Sequence, residues 1–154
     1  MITFELKDNG LTQSLEALSR SVSDLTPAME MIGDALVNNI QLGFHDETDP
    51  WGHPWKALSP STIEARRVGP NKNNPDMILQ DTGILKNSVN SSETNASQVV
   101  VGPAVYYGGP HQFGDGIPAR PFLPLDDYGV DLPDEWRFEI MDIIQHHLLK
   151  ATAK

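Results

Sequence analysis

Apolar residues recur at helical spacing along the first quarter of the chain: Leu11, Leu15, Leu18, Val22 and Leu25, then Met29, Ile32, Leu36 and Ile40. A period near 3.6 predicts two amphipathic helices, each with a face that must pack on something. Thr26-Pro27 reads as the N-cap and first-turn proline of the second, so the pair is predicted to form a helical hairpin. Ahead of it, residues 2–6 (ITFEL) alternate apolar and polar, the period of a short strand. Ser59-Pro60-Ser61-Thr62 opens a short helix ending near Arg67, and Asp81-Thr82-Gly83 introduces a short helical or turn segment carrying Ile84, Leu85 and Val89. Gln98-Val99-Val100-Val101 reads as a strand, with residues 88–92 as its antiparallel partner. Pro133 starts a last helix with a core stripe of Trp136, Ile140, Ile143 and His147, flanked by Ile144 and Leu148. The predicted class is α+β: helices packed against a small antiparallel sheet, with extended loop arms, in one domain over residues 1–154.

The segments between these elements carry most of the distinctive side chains. Residues 45–58 (HDETDPWGHPWKAL) have no period but hold two Trp, two Pro and a Gly. Trp is costly to leave wet, so Trp51 and Trp55 are predicted to anchor a structured loop. Residues 68–77 are polar and rich in Asn, Pro and Gly, which predicts a mobile segment. Residues 101–123 pack Tyr, Phe, His, Gln and Arg between Gly and Pro. Such punctuation favours turns and extended backbone, and Pro118 and Pro121 lack the donors a central strand needs. Residues 106–125 are therefore predicted to be an arm whose Tyr106, His111, Phe113, Arg120 and Phe122 contact other subunits or partners. Arg120 would pair with a carboxylate of an adjoining subunit or, alternatively, with an acidic residue of its own chain.

The 154 residues carry 11 Lys and Arg against 21 Asp and Glu, a formal net charge of −10. A chain so acidic is a poor direct ligand for nucleic acid, though a negative surface suits a channel through which DNA slides without sticking. There is no cysteine, hence no disulfide framework. The start shows neither the basic nor the apolar region of a secretory signal, and no apolar run approaches the ~20 residues of a membrane span.

Candidate chemistry is sparse. Asp81-Thr82-Gly83 is the triplet of retroviral-type aspartic proteases, but those need a largely β chain around it; an N-cap by Asp81 or Thr82 is the simpler reading. His45, Asp46, Glu47, Asp49 and His53 match no zinc or calcium spacing and read as a solvated acidic loop. His147 falls on the apolar stripe of the last helix as a satisfied core histidine, and His146 faces outward. Lys56, Arg66, Arg67, Lys72 and Lys86 form the one mildly basic region. It is predicted to pair with acidic neighbours such as the Glu135, Glu139 and Asp142 face of the last helix on another subunit. No catalytic, cofactor or metal site is predicted.

Three groups of residues together resemble the phage virion morphogenesis family, the tail-completion proteins of contractile-tailed phages and prophages. Gly52-His53-Pro54-Trp55-Lys56-Ala57-Leu58 is similar to its G-x-x-W-x-x-L loop, and Leu79-Gln80-Asp81-Thr82-Gly83-Ile84-Leu85 to its L-x-D-T-G-x-L turn. Val101-Gly102, Tyr106, His111-Gln112-Phe113-Gly114 and Ile117-Pro118-Ala119-Arg120-Pro121-Phe122 resemble its V-G, Y, H-Q-F-G and I-P-A-R-P-F signature. The likeness runs from about Ile32 to Leu148 in the family's order. Tyr107-Gly108-Gly109-Pro110 and Pro124 depart from it. The resemblance implies a non-enzymatic protein of the virion tail or neck, made in the host cytoplasm, that caps or completes the tail as a terminator and joins it to the head. It implies a homo-hexameric ring that contacts tail-tube and neck or connector proteins. DNA passes through its lumen without specific binding, and no membrane, cofactor or small-molecule substrate is involved. The alternative is an acidic binding module or nucleic-acid mimic with no virion role.

Overall fold

The computed structural model describes residues 10–70 and 74–153; the strand expected over residues 2–6 lies outside them. Six helices and two short antiparallel hairpins follow in order: α1 (Leu11–Ser23), α2 (Thr26–Asp46), α3 (Pro60–Val68), α4 (Ile84–Ser88), β1 (Val89–Asn95), β2 (Gln98–Pro103), α5 (Gly108–Phe113), β3 (Leu125–Asp126), β4 (Gly129–Val130) and α6 (Asp134–Thr152). The class is α+β.

Helix α2 is the axis of the fold. Leu25, rather than Thr26, holds its N-cap position, and the Asp24 carboxylate accepts from the Thr26 amide at 3.1 Å. Hydrogen bonds from Thr26 hold the Asp24 carboxyl below its ordinary range. The predicted stripe continues one turn past Ile40, so Ala28, Ile32, Ile40 and Phe44 are buried and His45 and Asp46 belong to the helix. This face lies across the β1–β2 hairpin, whose register sets Ser91 opposite Val101. Gly33 permits the close approach: a Cβ there would sit 2.9 Å from Ser91 Cβ and 3.0 Å from Val99 Cγ2.

Helix α6 packs against α1 and α2. Its half-buried residues include Trp136, Ile140, Ile143, Ile144, His147 and Leu148, the stripe expected from the sequence. His147 Nε2 lies 3.3 Å from the Ser21 carbonyl and 3.1 Å from that of Asp24. On α1 the apolar stripe is only partly covered: Leu18, and Leu25 just beyond the helix, are half-buried, but Leu15 and Val22 are more than half exposed. Helical period fixes which residues share a face, but not which part of that face the rest of the chain covers.

The main core gathers Ile40, Phe44, Trp55, Ile78, Leu79, Leu85, Val89 and Phe122. Phe44 meets Trp55 edge-on at 5.3 Å and Phe122 at 5.4 Å between ring centroids, separations usual for paired aromatics. Trp55 is buried and donates through Nε1 to the Pro121 carbonyl at 2.7 Å, while Trp51 is half-buried. The 45–58 segment is thereby sealed down, and two of its acidic groups, Glu47 and Asp49, hold backbone amides while Asp46 stays solvated. Asp49 Oδ1 accepts from the Trp51 and His53 amides at 2.9 Å each. Glu47, in the left-handed region at φ 56°, accepts from the Ile78 amide through Oε1 at 2.6 Å. Its own carbonyl accepts from the Trp55 amide at 2.8 Å.

Candidate functional site

The three motif groups converge. Lys56, Ala57 and Ser59 of the Trp loop, Asp81 and Thr82 of the Asp-Thr-Gly turn, and His111 and Arg120 of the Gly/Pro-rich stretch line one cleft of about 590 Å³. Each wall has a local cause. Ser59 caps α3 by accepting from the Thr62 amide at 3.2 Å, with Pro60 in the first turn, and so aims Arg66 at the cleft. Gly83, at φ 74°, is the residue that flanks the start of α4. Neither Asp81 nor Thr82 takes that position. Thr82 Oγ1 accepts from the Ile84 amide at 3.3 Å, and the Asp81 carboxylate sits 3.7 Å from Arg66 Nε.

The expected arm is instead a folded corner. Residues 108–113 form helix α5, with Pro110 in its first turn, where a missing amide costs nothing. Gly114 ends it at φ 84°, and a Cβ there would lie 3.0 Å from Ala119. The chain then turns back so that the Arg120 amide donates to the His111 carbonyl at 2.8 Å. Gln112, only 3% exposed, closes the corner. Its Oε1 accepts from the Phe122 and Leu123 amides at 2.9 Å each, and its Nε2 donates to the Leu123 carbonyl at 3.0 Å. One side-chain amide thus does for residues 122–123 what a neighbouring strand would do.

Arg120 and Phe122 are interior residues, which corrects their placement on an arm. Arg120 is 6% exposed and donates from Nε to the Lys56 carbonyl at 2.7 Å and from Nη2 to the Ala57 carbonyl at 3.1 Å. No carboxylate pairs with it among the described residues. Its fork cross-ties the Trp loop to the corner. Burial, and then the charge of Arg66, push its pKa below the ordinary value. Phe122 is in the core. His111 is half-buried, with Nδ1 cut off from water and unpartnered among the described residues. Burial, then the Arg120 charge, hold its pKa below the ordinary 6.5, so the ring is neutral at pH 7. Tyr106 and Phe113 do face outward, 94% and 66% exposed. Tyr106 stands edge-on to Tyr107 at 5.5 Å, and Tyr107 to His111 at 6.3 Å.

Among the described residues no group of three or more His, Cys, Asp or Glu could hold a metal, and no helix is long and apolar enough to cross a membrane. Compared with known families, the chain matches the phage virion morphogenesis family over residues 6–149. It belongs to that family. No curated protein and no solved structure matches it.

Within this phage virion morphogenesis protein, Glu47 and Gln112 were not singled out from the sequence as site residues, yet they hold the cleft's surroundings in place. The signal for Gln112 was its place between His111 and a left-handed glycine; for Glu47 there was no local signal, because its partner lies 31 residues away. A structural rather than catalytic role fits both the family and a cleft whose polar groups are largely tied to backbone.

Proposed function

We propose that the chain is a structural protein of the phage tail or neck that completes the tail and joins it to the head, forming a six-membered ring around the DNA channel. The observation that carries the reading is the family match across residues 6–149. Exposed large apolar side chains support it, since surfaces of this kind are covered in assemblies: Tyr106 and Phe113 on the corner, Phe138 and Met141 on α6. The net charge of −10 suits a lumen that DNA traverses without sticking. Tail-tube and neck or connector proteins are the other partners in this reading.

The test is electron microscopy of particles produced without the protein. Uncapped or overlong tails identify a terminator, and full heads separate from tails identify a joining ring. Normal, infectious particles overturn the assembly role, and twelve copies per particle would contradict the six-fold ring.

A further inference from the structure

The cleft gathers three cations, Lys56, Arg66 and Arg120, against one carboxylate, Asp81, in a chain whose net charge is −10. Arg66 has Asp81 at 3.7 Å, but Lys56 is exposed, and neither it nor Arg120 has an ion-pair partner among the described residues. A volume of about 590 Å³ falls in the range that encloses a compact ligand, and so the tip of a hairpin.

The β3–β4 hairpin offers such a tip. Asp126, Asp127 and Tyr128 are all exposed, Tyr128 at 98%, so nothing among the described residues covers the tip. Asp126 Oδ1 accepts from the Tyr128 amide at 2.8 Å, a local bond that sets the turn before any partner arrives and lowers the ordering cost of docking. Tyrosine anchors interfaces by burying its ring while its hydroxyl finds a polar group. The acids on and beside α6 are weaker candidates. Asp131 pairs with Arg137 at 3.0 Å, and Glu139 accepts from Asn39 at 2.7 Å. A helix is also too broad for a concavity that a turn can enter.

Resting on the assembly role above, we propose that the cleft is a socket into which a second copy of this chain inserts its β3–β4 hairpin, with Asp126 and Asp127 meeting the exposed Lys56 in the positive potential that the backbone-tied Arg66 and Arg120 add, and with Tyr128 as the anchor. Cleft and hairpin share no residue. The contact therefore joins two different patches, head to tail, and repeats around a ring when its rotation closes. Complementary charge sets the register of such a contact.

The chain has no cysteine, so an engineered pair reads the contact directly. Ala57 is an exposed cleft residue, and Asp127 is at the hairpin tip. In particles assembled from the Ala57→Cys, Asp127→Cys double variant, oxidation is expected to link most copies into multimers that reductant dissolves. Deletion of the protein tests the assembly role separately, because particles that remain infectious without it defeat that role whatever the cleft does. Where assembly requires the protein, particle-borne double variant that stays monomeric after oxidation overturns the socket. So does equal cross-linking of Gln13→Cys, on α1, with Asp127→Cys. If the folded pair variant is excluded from particles, charge reversal decides. Lys56→Glu and Asp127→Lys each then lower particle yield by about tenfold or more, and combining them restores most of it. An Asp127→Lys protein that assembles like the parent overturns the proposal.

Discussion

Gln112→Met is the sharpest perturbation of the corner, because it keeps length and bulk while deleting the amide. Three hydrogen bonds of 2.9–3.0 Å disappear, leaving two amide donors and one carbonyl without the partner that faced them. An unmade bond at a buried group costs about 1–3 kcal/mol. Phe122 is 2% exposed, so its amide bears that cost in full, whereas half-buried Leu123 regains part of its hydration. The sum is about 2–4 kcal/mol, which for a chain of this size lowers Tm by roughly 5–15 °C. The assay is urea and thermal unfolding followed by tryptophan fluorescence, since Trp55 reports on the Pro121 carbonyl beside the corner. Gln112→Glu refines the argument. It retains acceptors for both amides but sets a buried carboxylate against the Leu123 carbonyl, which raises the folded-state pKa of the new group. Its destabilisation is therefore greatest near neutral pH and shrinks as the carboxyl protonates. A Gln112→Met protein melting within about 2 °C of the parent, well short of the expected shift of roughly 5–15 °C, would refute the clamp.

Trp55→Ala is expected to cost about 3–5 kcal/mol, as truncations of buried large aromatics do, because the ring is 6% exposed and meets Phe44; an unchanged melting temperature would show the ring to be dispensable to the core. His111 adds a pH dependence. Its folded-state pKa lies below the ordinary 6.5, so the unfolded chain binds the extra proton first. Stability present above about pH 6.5 is then lost as pH falls toward the folded-state value. The plot of stability against pH should flatten there in His111→Asn, and an unaltered slope would assign the proton uptake to another group.

What the sequence disclosed and what it hid divide along a physical line. Periodicity located α2, the β1–β2 pair and the α6 stripe, because local spacing decides which residues share a face. It could not show that Leu15 and Val22 stay outside, since that depends on how far α6 extends over α1. The corner was hidden for a different reason. Gly114, Pro118 and Pro121 are compatible with an extended arm, but they serve a short helix, a left-handed stop and an irregular return segment equally well. What selects the second is Gln112, ten residues from Phe122 in the chain. Trp55 was legible as an anchor from its apolar bulk among turn residues. Glu47 was not, because an acidic residue in a loop gives no hint that its carboxylate will hold the Ile78 amide.

The burial of Arg120 and Phe122 changes where assembly contacts must be sought. A guanidinium already donating to the Lys56 and Ala57 carbonyls cannot be turned toward a neighbour without orphaning both carbonyls and opening the wall they form. Most of the family-like motif residues therefore build the frame, while the freest side chains, Tyr106 of the motif and Tyr128 outside it, stand on turns between framed elements. That division suits the proposed ring, in which identical acidic chains meet. With a net charge of −10 on each copy, long-range repulsion opposes approach, but beyond the ~8 Å screening length of physiological salt most of it is lost. Within that distance the local pairing decides, and a socket holding more cations than carboxylates gives a copy one orientation in which contact is favoured. The buried Arg120 that ties the corner shut adds its charge to the potential of the proposed socket without leaving the two carbonyls it holds.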